Sequence, residues 1–154
     1  MPPALRARIE AGRPRFEAMA LQQYGLAINS GPFGIDSRAA LIGEAYAAAR
    51  GMGDAFHDAV AAAYWQQAQA IDDPQVLADL AASVGLDRDE FLAALGQPEY
   101  EHAVDEDIAW AQAHGLSGVP AVVFAERYLV MGAQPYEVFE QVLQRCEGEA
   151  GAAP

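Results

Sequence analysis

The chain has 154 residues, enough for one compact domain and too few for two comfortable ones. Its formal net charge is −13 and its nine basic residues are all arginines, a surface that repels phosphate backbones and argues against nucleic acid as a partner. One cysteine, Cys146, excludes an intrachain disulfide and points to a reducing compartment, so a cytoplasmic location is expected.

The opening stretch, MPPALRARIEAGRPRF, has charges every few residues and no apolar run, so neither a signal peptide nor a membrane span is expected there. A first helix is predicted from Ala4 to Ala11, stopping at Gly12, with Pro14 opening a second that reaches Tyr24. Gly25 to Asp36 is too rich in Gly, Asn and Pro to be regular. Asp36 or Ser37 caps the next helix, which ends near Arg50 with Gly51 beyond it and presents Leu41, Ile42, Ala45, Tyr46 and Ala49 as its apolar face. Asp54 to Ala70 reads as another helix, with Phe56, Val60, Ala63 and Tyr64 aligned. Asp72 to Pro74 is a cap followed by a first-turn proline, opening a helix to Val84. Asp87 caps a short helix to about Leu95, and Pro98 opens a longer one to His114.

After Gly115 the pattern changes. AVVF and YLVM read as two strands around a tight turn, and Pro135 then opens a last helix. Its apolar face is expected at Tyr136, Val138, Phe139, Val142 and Leu143. Val122, Val123 and Phe124 are consecutive apolar residues, which predicts a strand covered on both faces. The fold class expected is α/β and mostly helical. A helical domain spans 1–115, a ββα unit 116–147 and a flexible tail 148–154.

The stretch GLSGVPAVVFAERYLVMGAQPYEVFEQVL resembles the C-terminal ββα half of DsbA-like proteins of the thioredoxin superfamily, in particular their FrnE branch. NSGPFGIDSRAALIGEAYAAA and AYWQQAQAIDDPQVLADLAASVGLD are similar to the helical domain that this family inserts into its thioredoxin fold. The resemblance covers about Pro3 to Arg145. It implies thiol–disulfide oxidoreduction or disulfide isomerisation on protein or peptide thiols, without a cofactor. It also implies a cis proline at Pro120, with the backbone of Val119, after Gly118, facing substrate. The family begins with a strand leading into C-x-x-C at a helix N-terminus, where a lowered thiolate pKa drives exchange. No C-x-x-C occurs in this sequence. The chain thus resembles a member whose redox half is missing, and no catalytic residue is expected in it.

Cys146 is no substitute, because it lies at the far end of the last predicted helix, where the macrodipole disfavours a thiolate. His102, Asp105 and Glu106 share a helix face, but among further acids they read as a solvated surface, and no metal site is expected. His57 and His114 have no companions that suggest a base or ligand, and Tyr64, Trp65 and Trp110 read as core or inter-helix packing residues. Phe33 and Arg38, in GPFGIDSR, stand where free backbone N–H groups favour anions, although Phe33 could equally staple the helix start. Gln134 stands in MGAQP, a turn that holds glutathione in the related kappa-class transferases and 2-hydroxychromene-2-carboxylate isomerases; those relatives usually carry an acid there. The substrate-facing candidates are therefore Gly118, Val119, Pro120, Phe33, Arg38 and Gln134. Two other readings stay open: a non-catalytic binding or dimerisation module, and a remnant of a glutathione-dependent isomerase or transferase. A homodimer, or association with a separate redox fragment, through the open Ala121–Phe124 edge is expected, unless the N-terminal segment folds over that edge.

Overall fold

The computed structural model describes residues 2–150. Seven helices and one hairpin follow in the order α1 (Pro3–Tyr24), α2 (Arg38–Ala48), α3 (Gly53–Trp65), α4 (Pro74–Ser83), α5 (Arg88–Ala94), α6 (Pro98–Ala113), β1 (Ala121–Phe124), β2 (Tyr128–Met131) and α7 (Tyr136–Ala150). The mostly helical α/β class expected from sequence is the class observed. The chain divides into two compact units, Met1–Val104 and Asp105–Pro154. No helix among the described residues is long and apolar enough to cross a membrane.

In the first unit α2, α3, α4 and α5 pack together. Their core is built on Tyr46, Phe56, Leu77 and Phe91, with alanines such as Ala47, Ala63, Ala78 and Ala81 between them. Phe91 is the hub, with its ring 5.6 Å from Tyr46 edge-on and 5.2 Å from Phe56. The helices cross closely here because α2 carries Gly43, where a Cβ would stand 2.5 Å from the Phe91 ring. The inward face of α2 is Ala40, Ile42, Gly43, Tyr46 and Ala47. Leu41 and Ala49, expected inside, are exposed, because the helix turns its small residues towards Phe91. The acidic caps behave as the sequence implies. Asp73 accepts from the Gln75 N–H, and Asp87 from those of Asp89 and Glu90.

Two expected boundaries are corrected. Gly12 and Pro14 do not divide the N-terminal segment: α1 is continuous from Pro3 to Tyr24, with Pro14 inside it. The flanking Ala, Leu, Arg and Glu residues are strong helix formers. Beside the proline, Arg13 Nη2 donates to the carbonyls of Ser30 (2.6 Å) and Gly31 (3.1 Å), tying the helix to the following loop. Helix α3 stops at Trp65 rather than Ala70. The carbonyls of Tyr64 and Trp65, which would have carried the helix on, instead accept from Gly31 N (2.6 Å) and Asn29 N (2.7 Å). Gly31 fits against this end of α3 because a Cβ there would collide with the Gln69 carbonyl and the Tyr64 ring.

In the second unit β1 and β2 pair antiparallel, Ala121 opposite Met131 and Phe124 opposite Tyr128. Helix α7 packs on β1, with the Phe139 ring 6.3 Å from that of Phe124. The expectation of a strand covered on both faces is not met: Val122 is 37% and Val123 41% exposed. Alternation puts Val123 and its partner Leu129 on the face opposite Phe124, away from α7. The inward side of α7 also differs, since Val138, Phe139, Val142 and Cys146 are half-buried while Tyr136 and Leu143 are exposed. The helix runs on to Ala150, into the stretch expected as a tail; residues 151–154 lie outside the described residues.

Candidate functional site

The mouth of the hairpin gathers four of the expected residues. The Val119–Pro120 peptide bond is cis, as expected. Pro120 precedes β1, where its missing N–H takes nothing from the ladder, and its carbonyl accepts from Gly132 N at 2.8 Å. That bond joins the proline loop to the turn after β2. The turn needs Gly132, whose φ is +79°. Gln134 closes it: its backbone N–H donates to the Gly132 carbonyl, and its side-chain Nε2 donates to the Met131 carbonyl, both at 2.9 Å. Val119 projects beside this frame and is 94% exposed. A Cβ on Gly118 would meet nothing within 4 Å, so the approach to Val119 is open. The backbone groups of Val119 make no hydrogen bond among the described residues.

Phe33 and Arg38 belong to the first unit. Phe33 is half-buried and lines a cleft of about 260 Å³ with Ile9, Gly12 and Phe16 of α1 and Tyr64 and Trp65 of α3. Arg38 opens α2, with its backbone N–H bonded to Asp36 Oδ1 (2.9 Å) and its guanidinium 3.2 Å from Glu101. Sequence reading missed this cleft. Its only linear signal is the aromatic content of three separate segments, and the pairing of Asn29 and Gly31 with the end of α3 is what unites them. Trp65 packs between helices rather than in the core: it is 45% exposed, edge-on to Tyr64 and 6.4 Å from Phe16 of α1.

Other chemistry is sparse. Among the described residues no three of His, Cys, Asp and Glu come together as metal ligands. His57 Nδ1 is 3.3 Å from Glu44, and His114 stacks at 4.2 Å on Trp110, itself 50% exposed. Cys146 is half-buried on the strand-facing side of α7. Near it, Tyr128 donates to Glu149 Oε1 at 2.7 Å, and Arg127 and Arg145 lie 2.9 and 3.3 Å from the same carboxylate. The hydrogen bond to Glu149, helped by burial, raises the Tyr128 pKa, and the same bond, with the two arginines, holds Glu149 low against burial.

Comparison with known proteins agrees with this architecture. The DSBA-like thioredoxin domain family matches residues 13–144. This chain belongs to that family, and its sequence contains no C-x-x-C. No curated protein matches the sequence significantly. Among solved structures, a probable DsbA oxidoreductase from Streptomyces coelicolor is 31% identical with a TM-score of 0.77; the match covers 96% of this chain and 63% of that one. A 2-hydroxychromene-2-carboxylate isomerase is 23% identical with a TM-score of 0.76, covering 97% of this chain and 73% of its own. A candidate protein disulfide isomerase from Nitrosomonas europaea is 20% identical with a TM-score of 0.74, covering 97% and 76%. The last two share the fold. The chain thus spans less than two thirds of the length of its Streptomyces relative.

Proposed function

We propose that this chain supplies the substrate-holding part of a thiol–disulfide oxidoreductase of the FrnE type, working in the cytoplasm on protein or peptide thiols, and performs no electron exchange of its own. The observation that carries the reading is the exposed Val119, with unpartnered backbone groups, beside Pro120 and the open Gly118. An extended substrate can pair with such a backbone as one strand pairs with the next. Gln134 serves by holding the turn that fixes Pro120, since its side-chain N–H donates to Met131. Phe33 and Arg38 are contacts of the first unit in this reading.

Disulfide exchange needs an attacking thiolate and a second thiol to resolve the mixed disulfide. A single half-buried cysteine, Cys146, cannot provide the pair. An insulin-reduction assay should therefore show no turnover, and turnover abolished by Cys146→Ala would overturn the redox-silent reading. A reduced and alkylated unfolded polypeptide, titrated into labelled protein, should shift the Gly118 and Val119 amides first. Saturable shifts with glutathione centred on Gln134, and none with the polypeptide, would instead favour a glutathione-dependent isomerase or transferase.

A further inference from the structure

The first unit offers a second surface, one that needs neither Val119 nor redox chemistry. Along α1, Leu5, Ile9, Gly12, Phe16 and Met19 recur at alternating steps of four and three, the period of a seam that packs on another helix. The seam is bare: Leu5 is 45%, Ile9 41%, Phe16 43% and Met19 40% exposed. Its middle opens into the cleft of about 260 Å³, with Phe33, Tyr64 and Trp65 on the far wall. A Cβ at Gly12 would meet nothing within 4 Å, so the seam has a hole where a side chain from outside can enter.

Charge says what kind of partner fits. The flanks of the seam are arginines, Arg6 and Arg13 on one side, Arg8 and Arg15 on the other. Arg6 pairs with Glu10 and Arg13 with Glu17. Arg8 and Arg15, both exposed, stand alone among the nine arginines in having no ion-pair or hydrogen-bond partner among the described residues, in a chain with 22 Asp and Glu. We propose that the α1 seam is a docking groove for an amphipathic helix of another protein, apolar on its seam and acidic on its flanks, with one large apolar side chain entering at Gly12. A second copy of α1 is the wrong partner, because either orientation sets arginine rows against arginine rows. An anionic membrane is disfavoured by the net charge of −13 and by a cleft that a flat surface does not fill.

The test uses a synthetic amphipathic helical peptide with leucine on its seam and glutamate on both flanks, and a twin with lysine on the flanks. Trp65, 6.4 Å from Phe16, reports binding by fluorescence in a Trp110→Phe background. The acidic peptide should bind saturably, at least about tenfold tighter than its twin and more weakly as salt rises. The double variant Arg8→Glu with Arg15→Glu should reverse the preference, and Phe16→Ala should weaken binding with the charges intact. Equal binding of the two peptides, or of neither, overturns the proposal. So does tighter binding to phosphatidylserine vesicles than to the acidic peptide. Self-association in sedimentation that Phe16→Glu abolishes would give the seam to a second copy and overturn it as well.

Discussion

Different forces hold each of the two units internally. In the first, Tyr46, Phe56, Leu77 and Phe91 are each less than 2% exposed, and three aromatic rings from α2, α3 and α5 interlock. In the second, Val130 is the only described hydrophobic residue that is fully buried, at 8% exposure. A two-stranded hairpin is marginal in water without such a core. What secures this one is a helix on the Phe124 end and a polar latch of Tyr128, Glu149, Arg127 and Arg145. The contrast predicts that packing changes act on the first unit and charge changes on the second.

The sharpest way to break the comparison is at Phe91. Phe91→Ala should cost about 3–5 kcal/mol, because it removes a fully buried ring and leaves a cavity walled by Tyr46 and Phe56. Chemical denaturation followed by circular dichroism measures this, and a loss below about 1 kcal/mol would mean that the aromatic cluster does not hold the unit. Gly43→Ala comes next, at about 1–3 kcal/mol, since the new methyl meets the Phe91 ring and one of two packed elements must move. A neutral result would show the α2–α5 approach to be looser than 2.5 Å implies. Smaller still is Asp87→Ala, at about 1 kcal/mol, from two N–H groups losing their acceptor at the start of α5.

Local chemistry was legible in the sequence and chain-to-chain pairing was not. Asp73 and Asp87 announced their caps, and both strands fell where two short apolar runs stood, although Ala125 and Glu126 in the turn take positive φ without the usual Gly or Asn. The end of α3 was hidden, because it depends on Asn29 and Gly31 capturing two carbonyls from more than thirty residues away. The cleft was hidden for the same reason. Continuity of α1 was hidden because Gly12 and Pro14 are genuine breakers by propensity, overridden by their neighbours and by the Arg13 tie. The residues at the hairpin mouth came from a family resemblance; nothing in local pattern distinguishes Val119–Pro120 from any other proline ahead of a strand.

The open strand edge gives a prediction about association more than stability. Val123 and Leu129 form an exposed cross-strand pair, and β1 has one paired neighbour among the described residues. We expect a homodimer, or pairing with another chain, along Ala121–Phe124. Val123→Lys should abolish it while changing monomer stability by no more than about 0.5 kcal/mol. Sedimentation of both proteins checks this, and a monomer at high concentration that the substitution leaves unchanged rules out edge pairing.

The smallest effect expected, and the one most specific to the second unit, is a pH dependence with two limbs. Glu149 is held below the usual carboxylate range, first by the Tyr128 hydroxyl and then by its arginine neighbours. A group whose folded pKa is depressed stabilises above its unfolded value, ordinarily about 4.3, and loses that contribution as pH falls through the folded value. Tyr128 is raised above 10.0, first by the same hydrogen bond. Its contribution is complete below that value and fades as pH rises through the folded one. The latch between β2 and α7 should therefore be tightest between roughly pH 5 and 10 and loosen on both sides. Hydrogen exchange at the Tyr128–Met131 amides reads it locally, after correction for the intrinsic pH dependence of exchange. Tyr128→Phe deletes the hydroxyl, so it should remove the alkaline limb and shrink the acid one, which Arg127 and Arg145 still support. If wild type and Tyr128→Phe respond to pH alike, the hairpin is held by Phe124 and Phe139 alone, and the two units differ in how much they bury rather than in what holds them.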